Sequence, residues 1–319
     1  MGEGKRNRRA FRAFPAIDRS LLRRIRNDRA LYILFLPVFL YYAVFRYLPM
    51  AGAFLIAFKK YDIYTGILES EWVGFRYFIQ FFRSIYFWRL LRNTLSINGL
   101  ILLFSFTAPI VFALLLNEIG GKNFKRSVQT ISYLPHFISI VVIASMVVTF
   151  LSPTMGIVNN ILEGLGMKRI NFLADPKYFW GIYTVIDIWQ NLGFGAIIYL
   201  AALTGIDPGL YEAAMIDGAG RWRQMWRITL PCISPTIIVL FLMRLGRMLD
   251  VGYETIILLY NPRIYETADV IGSYVYRRGI IEADYSFATA VGLFQAVLGL
   301  VLIIVSNKAA KRFSETSLW

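Results

Sequence analysis

Asp187, Gln190 and Asn191 are the first residues in this sequence to suggest chemistry, because they interrupt a stretch that is otherwise almost wholly apolar. Spaced i, i+3 and i+4, they share one face of a helix, with Trp189 beside them at a different angle. Polar groups in such a stretch are costly unless they face a cavity or a partner helix. Two readings stand. The group supplies paired donors and acceptors for a hydroxyl-rich ligand whose C–H faces an aromatic ring covers, or it holds helices together by hydrogen bonds. Arg244, Arg247 and Asp250 form a second stripe at three-residue spacing. An uncompensated arginine within an apolar span costs at least about 2.5–3.5 kcal/mol, so pairing or water exposure is required. Arg247 with Asp250 is the expected local pair; if both arginines instead face a cavity, they suit an acidic ligand. His136 follows Pro135 without an acidic neighbour to complete a proton relay, and reads as a helix-starting residue.

Catalytic patterns do not occur. No G-x-x-x-x-G-K-[ST] run is present to cradle phosphate, Gly2–Lys5 being too short and without Ser or Thr, and neither H-E-x-x-H nor G-x-S-x-G is found. One Cys and one His exclude an intramolecular disulfide and argue against a His/Cys metal centre. No catalytic residue, metal or cofactor is assigned to the chain.

The elements that must position the polar groups follow from composition. Hydrophobic residues make up 57% of the 319 and the mean hydropathy is +0.54, well above a soluble norm of about 45–50% apolar. A hydrocarbon core about 30 Å thick takes about 20 apolar helical residues. Six runs qualify, at Leu31–Leu48, Leu90–Leu116, Ile131–Leu151, Trp180–Leu203, Cys232–Leu249 and Phe287–Val305, the fifth interrupted by Arg244 and Arg247. The expectation is an all-α, polytopic bundle of six transmembrane helices over 31–305. Lys and Arg number nineteen in segments 1–30, 117–130, 204–231 and 306–319, against eleven in the longer segments 49–89, 152–179 and 250–286. By the positive-inside rule both termini are cytoplasmic. The net charge of +14 is thus explained by topology rather than nucleic-acid binding.

Residues 1–30 read as a basic, amphipathic cytoplasmic segment, either an interfacial helix or a disordered anchor, and 306–319 as a cytoplasmic tail. The basic part and the first apolar run are too long for a signal peptide, and no small-residue cleavage site follows, so the segment is expected to be retained. Segment 49–89 is polar enough to fold outside, as a partner contact or as a connection with an interfacial aromatic belt.

The loop between the fourth and fifth runs, 206–231, has the punctuation of two short helices. Asp207 is a candidate N-cap with Pro208 at the first helical position; Gly218 and Gly220 stop that helix. A basic-aromatic helix over Arg221–Ile228 follows until Leu230–Pro231 turns the chain back into the membrane.

This loop resembles the EAA loop of ABC importer permeases, whose pattern is E-A-A, three residues, G, nine residues, I-x-L-P. Glu212, Ala213 and Ala214 begin it, Gly218 follows after three residues, and Ile228, Leu230 and Pro231 follow after nine more. The resemblance implies a type I importer permease in a bacterial cytoplasmic (inner) membrane, paired with a second permease subunit, expected to be a different chain, and with two ATPase subunits that hold ATP and Mg. It also implies an extracytoplasmic solute-binding protein. On this reading Glu212, Ala213, Ala214, Asp217 and Gly218 couple the chain to an ATPase. Glu212 offers charge-assisted hydrogen bonds, the alanines permit close approach, and Gly218 permits the break. The segments WVGFRYF from Trp72, ALLLNE ending at Glu118 and YLPHFIS around His136 are similar to the maltose-type, oligosaccharide or polysaccharide branch, implying a sugar-like solute. An ion-coupled secondary transporter is the alternative; it predicts inverted repeats and an acidic relay, of which only Asp187 is present. A membrane glycosyltransferase would need a carboxylate or metal constellation that is not visible.

Overall fold

In hydrocarbon a long apolar segment satisfies its backbone polar groups as a helix, and long helices dominate what this sequence forms. The computed structural model describes residues 28–313, and the chain divides into two units, 1–55 and 56–319. Helix α1 runs Arg29–Ile56, with Pro37 inside it and a π-helical stretch at Ala43–Tyr47. The amphipathic segment expected over 1–30 lies outside the described residues except for its last three.

In the second unit β1 (Lys59–Lys60) pairs antiparallel with β2 (Glu71–Trp72), Lys59 opposite Trp72. Helix α2 (Arg76–Phe82) leads into α3 (Phe87–Glu118), which contains a π-helical stretch at Ile101–Ser105. Then come α4 (Lys122–Tyr133), α5 (Ile140–Phe150), α6 (Ile157–Gly164), α7 (Phe179–Thr204) and α8 (Pro208–Ile216). The chain continues through α9 (Arg221–Gly246), α10 (Tyr253–Leu259), α11 (Ile271–Tyr276) and α12 (Tyr285–Phe313).

Among the described residues five helices are long and apolar enough to span: α1, α3, α7, α9 and α12. The expected third span, Ile131–Leu151, is broken. Lys122–Phe137 and Ile140–Phe150 meet at 98° and give a sixth span only when taken together. Pro135 brings no N–H to the helix ladder, Ile138 is extended, and Ser139 caps the new helix by accepting from Val142 N–H at 3.4 Å. The fifth span also differs. No turn occurs at Leu230–Pro231; α9 runs unbroken from Arg221 because a π-helical stretch at Met225–Thr229 widens the ladder just where Pro231 cannot donate. It ends at Gly246, so Arg247 and Asp250 follow the helix rather than continue its stripe. Helix α12 continues to Phe313, through half of the expected tail.

Helices α3 and α7 lie side by side, Gly195 standing where a Cβ would come 3.1 Å from Pro109. Helix α9 meets α12 where Gly299 and Gly246 are backbone to backbone, a Cβ on Gly299 falling 2.7 Å from the Gly246 carbonyl oxygen. Small residues let helices approach this way where lipid supplies no hydrophobic drive. Three apolar cores result: Ile97, Ile143, Tyr183 and Ile256 join α3, α5, α7 and α10; Ile110, Ala196, Tyr199 and Ile233 join α3, α7 and α9; Phe81, Leu90, Ile271 and Phe287 join α2, α3, α11 and α12.

Candidate functional site

Local chemistry builds the loop between α7 and α9. The Asp207 carboxylate accepts from Gly209 N–H at 2.9 Å, with Pro208 opening α8. At the other end Gly218 has φ +75°, Gly218 N–H donates to the Met215 carbonyl at 3.0 Å, and Ala219 N–H donates to the Ala214 carbonyl at 2.9 Å. This is a Schellman closure, in which glycine avoids the left-handed penalty. Gln224 Nε2 donates to the Ala219 carbonyl at 2.7 Å, and the Tyr211 and Thr229 hydroxyls lie 3.0 Å apart, tying α8 to α9. Tyr211 faces inward, while Glu212, Ala213, Met215, Ile216 and Asp217 are exposed and Ala214 is half-buried. Ile216 is 87% exposed, an apolar knob beside the Glu212 carboxylate.

The polar residues of α7 meet Ser105 of α3, Arg244 in the last turn of α9 and Arg247 just beyond it in a cavity of about 280 Å³. Asp187, Asn191, Ser105, Arg244 and Arg247 line it. Ser105 donates its hydroxyl to the Asp187 carboxylate, and Asn191 Nδ2 donates to the other carboxylate oxygen at 3.3 Å and to the Asp187 carbonyl at 3.1 Å. Arg247 and Asp250 do not form the expected pair: no ion pair joins them, and Asp250 N–H bonds the Arg247 carbonyl at 2.9 Å. Both arginines line the cavity against one carboxylate, leaving it electropositive. Gln190 and Trp189 do not line it. His136 stacks on Phe194 with ring centroids 3.9 Å apart, its Nδ1 buried without a hydrogen-bond partner among the described residues.

Two features have no clear trace in the sequence. Ser105 closes a π-helical stretch, a distortion that recurs at functional sites. Asp269, fully buried, takes Arg277 at 2.8 Å, Arg89 at 3.2 Å and the Ser273 hydroxyl at 2.9 Å, joining the start of α3 to segment 265–277. A lone aspartate gave only the signal of an acid among apolar neighbours.

A bundle of membrane-length helices, interrupted by an exposed capped helix and holding a polar cavity at a helix break, defines a solute-transporting membrane protein. The model for binding-protein-dependent transport system inner membrane components matches residues 105–315. The chain belongs to this family of ABC importer permeases, with the type I fold; it is a transport subunit rather than an enzyme, the ATPase being a separate subunit. It is 45% identical to Protein LplB of Bacillus subtilis (strain 168) over 295 residues, 92% of each chain. It is 42% identical to the polygalacturonan/rhamnogalacturonan transport system permease protein YteP of the same organism, over 96% of this chain and 98% of that one. Among solved structures, a bacterial alginate ABC transporter in complex with alginate pentasaccharide-bound periplasmic protein matches with TM-score 0.86 and 48% identity, covering 93% of this chain and 99% of that chain. Membership of this family leaves the ion-coupled alternative without support.

Proposed function

We propose that this chain forms one half of the membrane path for an acidic oligosaccharide derived from a polysaccharide. An extracytoplasmic binding protein delivers the solute, and a second, different permease subunit completes the path. Two ATPase subunits carry ATP and Mg; this chain binds neither. Both termini are cytoplasmic in a bacterial inner membrane, which puts α8 on the cytoplasmic face, where Glu212, Ala213, Ala214, Asp217 and Gly218 meet an ATPase groove. With this topology we propose a basic N-terminal segment over 1–30, the permease domain over 31–305 and a cytoplasmic tail over 306–319.

The observation that carries the substrate class is the cavity in which Arg244 and Arg247 oppose the single carboxylate of Asp187. Guanidinium groups recognise carboxylates by charge-assisted hydrogen bonds, and a uronate presents one carboxylate per ring. The substrates named for YteP and for the alginate transporter point the same way. The test is reconstitution of the chain with its neighbouring permease, ATPase and binding protein in liposomes, then a screen of neutral and uronate oligosaccharides for uptake and stimulated ATP hydrolysis. Preference for the uronates is expected; equal or greater response to neutral sugars rejects the acidic assignment.

A further inference from the structure

Helix α9 stops at Gly246, and the backbone from Arg247 to Gly252 is non-helical before α10 begins. Non-helical backbone among transmembrane helices persists where protein buries it or where it lines a water-filled cavity. Here Leu249 and Val251 are buried by protein while Arg247 and Asp250 line cavities, and Gln295 of α12 satisfies one freed carbonyl, Nε2 donating to Leu249 at 2.9 Å.

Three cavities meet along this break. The arginine cavity shares Met243 and Arg247 with one of about 650 Å³. That cavity shares Asp250 and Gln295 with a third, of about 440 Å³, lined by Tyr253, Tyr276, Tyr285 and Thr289. The rings of Tyr253 and Tyr276 lie 5.9 Å apart and 30° from parallel, a broad aromatic wall. Two glycines let that wall form: a Cβ on Gly272 would come 3.0 Å from the Tyr253 Cβ, and one on Gly279 would come 2.6 Å from the Ala288 Cβ. Among the described residues, the hydroxyls of Tyr253, Tyr276 and Tyr285 have no hydrogen-bond partner.

We infer that this third cavity is a second saccharide subsite, holding another ring of the oligosaccharide whose carboxylate occupies the arginine cavity. The inference rests on the saccharide reading above. A sugar ring has an apolar C–H face that tyrosine rings cover, and hydroxyls that tyrosine, Gln295 and Thr289 bond. Among the described residues the only carboxylate lining the cavity is that of Asp250, which accepts from sugar hydroxyls, so a uronate ring held here turns its own carboxylate away from it. The subsite therefore reads ring faces and chain length, and leaves charge to the arginines.

The experiment compares a uronate disaccharide with a uronate tetrasaccharide in the reconstituted complex, at saturating binding protein. Tyr253→Leu and Tyr276→Leu keep bulk and remove the aromatic face. The ratio of tetrasaccharide to disaccharide uptake should fall about tenfold, the scale of about 1.4 kcal/mol of lost contact. Tyr253→Phe and Tyr276→Phe, which keep the stack, should hold that ratio within about threefold. Should a leucine variant not assemble, Tyr285→Leu is read by the same ratio. Equal loss at both lengths, or no change at either, overturns the subsite. If the unaltered complex carries no saccharide of any length or charge, the saccharide reading itself fails, which the variants cannot mimic.

Discussion

Arg244 and Arg247 share a cavity with Asp187 and Asn191, and each group has a separable task. Hydrogen bonds to charged groups contribute about 1.5–3 kcal/mol, so Arg244→Gln or Arg247→Gln should lower uptake of a uronate oligosaccharide about tenfold or more while a neutral analogue changes little. Parallel uptake assays check this; equal loss for both substrates assigns the arginines to folding. Asp187 already accepts from Ser105 and Asn191, so the shape of the cavity depends on that network. Ser105→Ala removes one donor from a half-buried carboxylate and should destabilise the folded chain by about 1–3 kcal/mol, read as a lower thermal midpoint in detergent. The three-and-four spacing that proposed a shared face for Asp187, Gln190 and Asn191 carried no information about which neighbours the face meets. The structure brings Asp187 and Asn191 to the arginines and leaves Gln190 and Trp189 aside.

Helix α8 is the element most completely written into local sequence. Its cap, its first proline and its terminating glycine act over a few residues, and the expected boundaries match the observed ones. The boundaries that were not legible depend on non-local fit: the 98° bend between α4 and α5, the π-helical stretches, and the end of α9 at Gly246. At Gly218 an added Cβ meets nothing within 4 Å, so its constraint is conformational rather than steric within this chain. Gly218→Ala should cost about 1 kcal/mol through the left-handed backbone. Gly218→Leu and Glu212→Lys should leave the spans inserted but reduce ATPase retention and substrate-stimulated hydrolysis severalfold. Both are measured on the reconstituted complex, and near-normal coupling in both variants would place the contact in another loop. The α5–α7 connection turns on Asn159, fully buried, whose side chain accepts from Ile170 N–H at 2.7 Å and donates to Ile170 and Ser152 carbonyls at 3.0 Å each. Asn159→Leu strands these groups, at about 1–3 kcal/mol apiece, and should raise hydrogen exchange across 152–170 while α7 stays protected.

Across the whole molecule, partners distant in sequence hold helix ends together. Asp269 and Arg89 are 180 residues apart, so no spacing rule anticipates the pair. Removing one member of a buried ion pair leaves uncompensated charge and typically costs about 3–5 kcal/mol. Asp269→Asn leaves two arginines facing a neutral amide and should lower the thermal midpoint more than any single cavity substitution above, with loss of folded chain at growth temperature as the extreme outcome. A smaller shift than that of Ser105→Ala would show that Arg89 and Arg277 find other partners.

The unbroken run of α9 from Arg221 to Gly246 has a mechanical side. Tyr211 ties α8 to its first turns through Thr229, and Arg247, one of the two arginines of the cavity, caps its last. The α8 loop and the cavity therefore lie at opposite ends of one helix of 26 residues, about 39 Å long. A tilt of roughly 5° about the α8 end sweeps the Arg247 end through about 3 Å, one hydrogen-bond length. On the coupling role proposed for α8 and the solute role proposed for the arginines, a lever of that reach lets a small rocking of the loop decide whether a guanidinium holds its anion or lets it go.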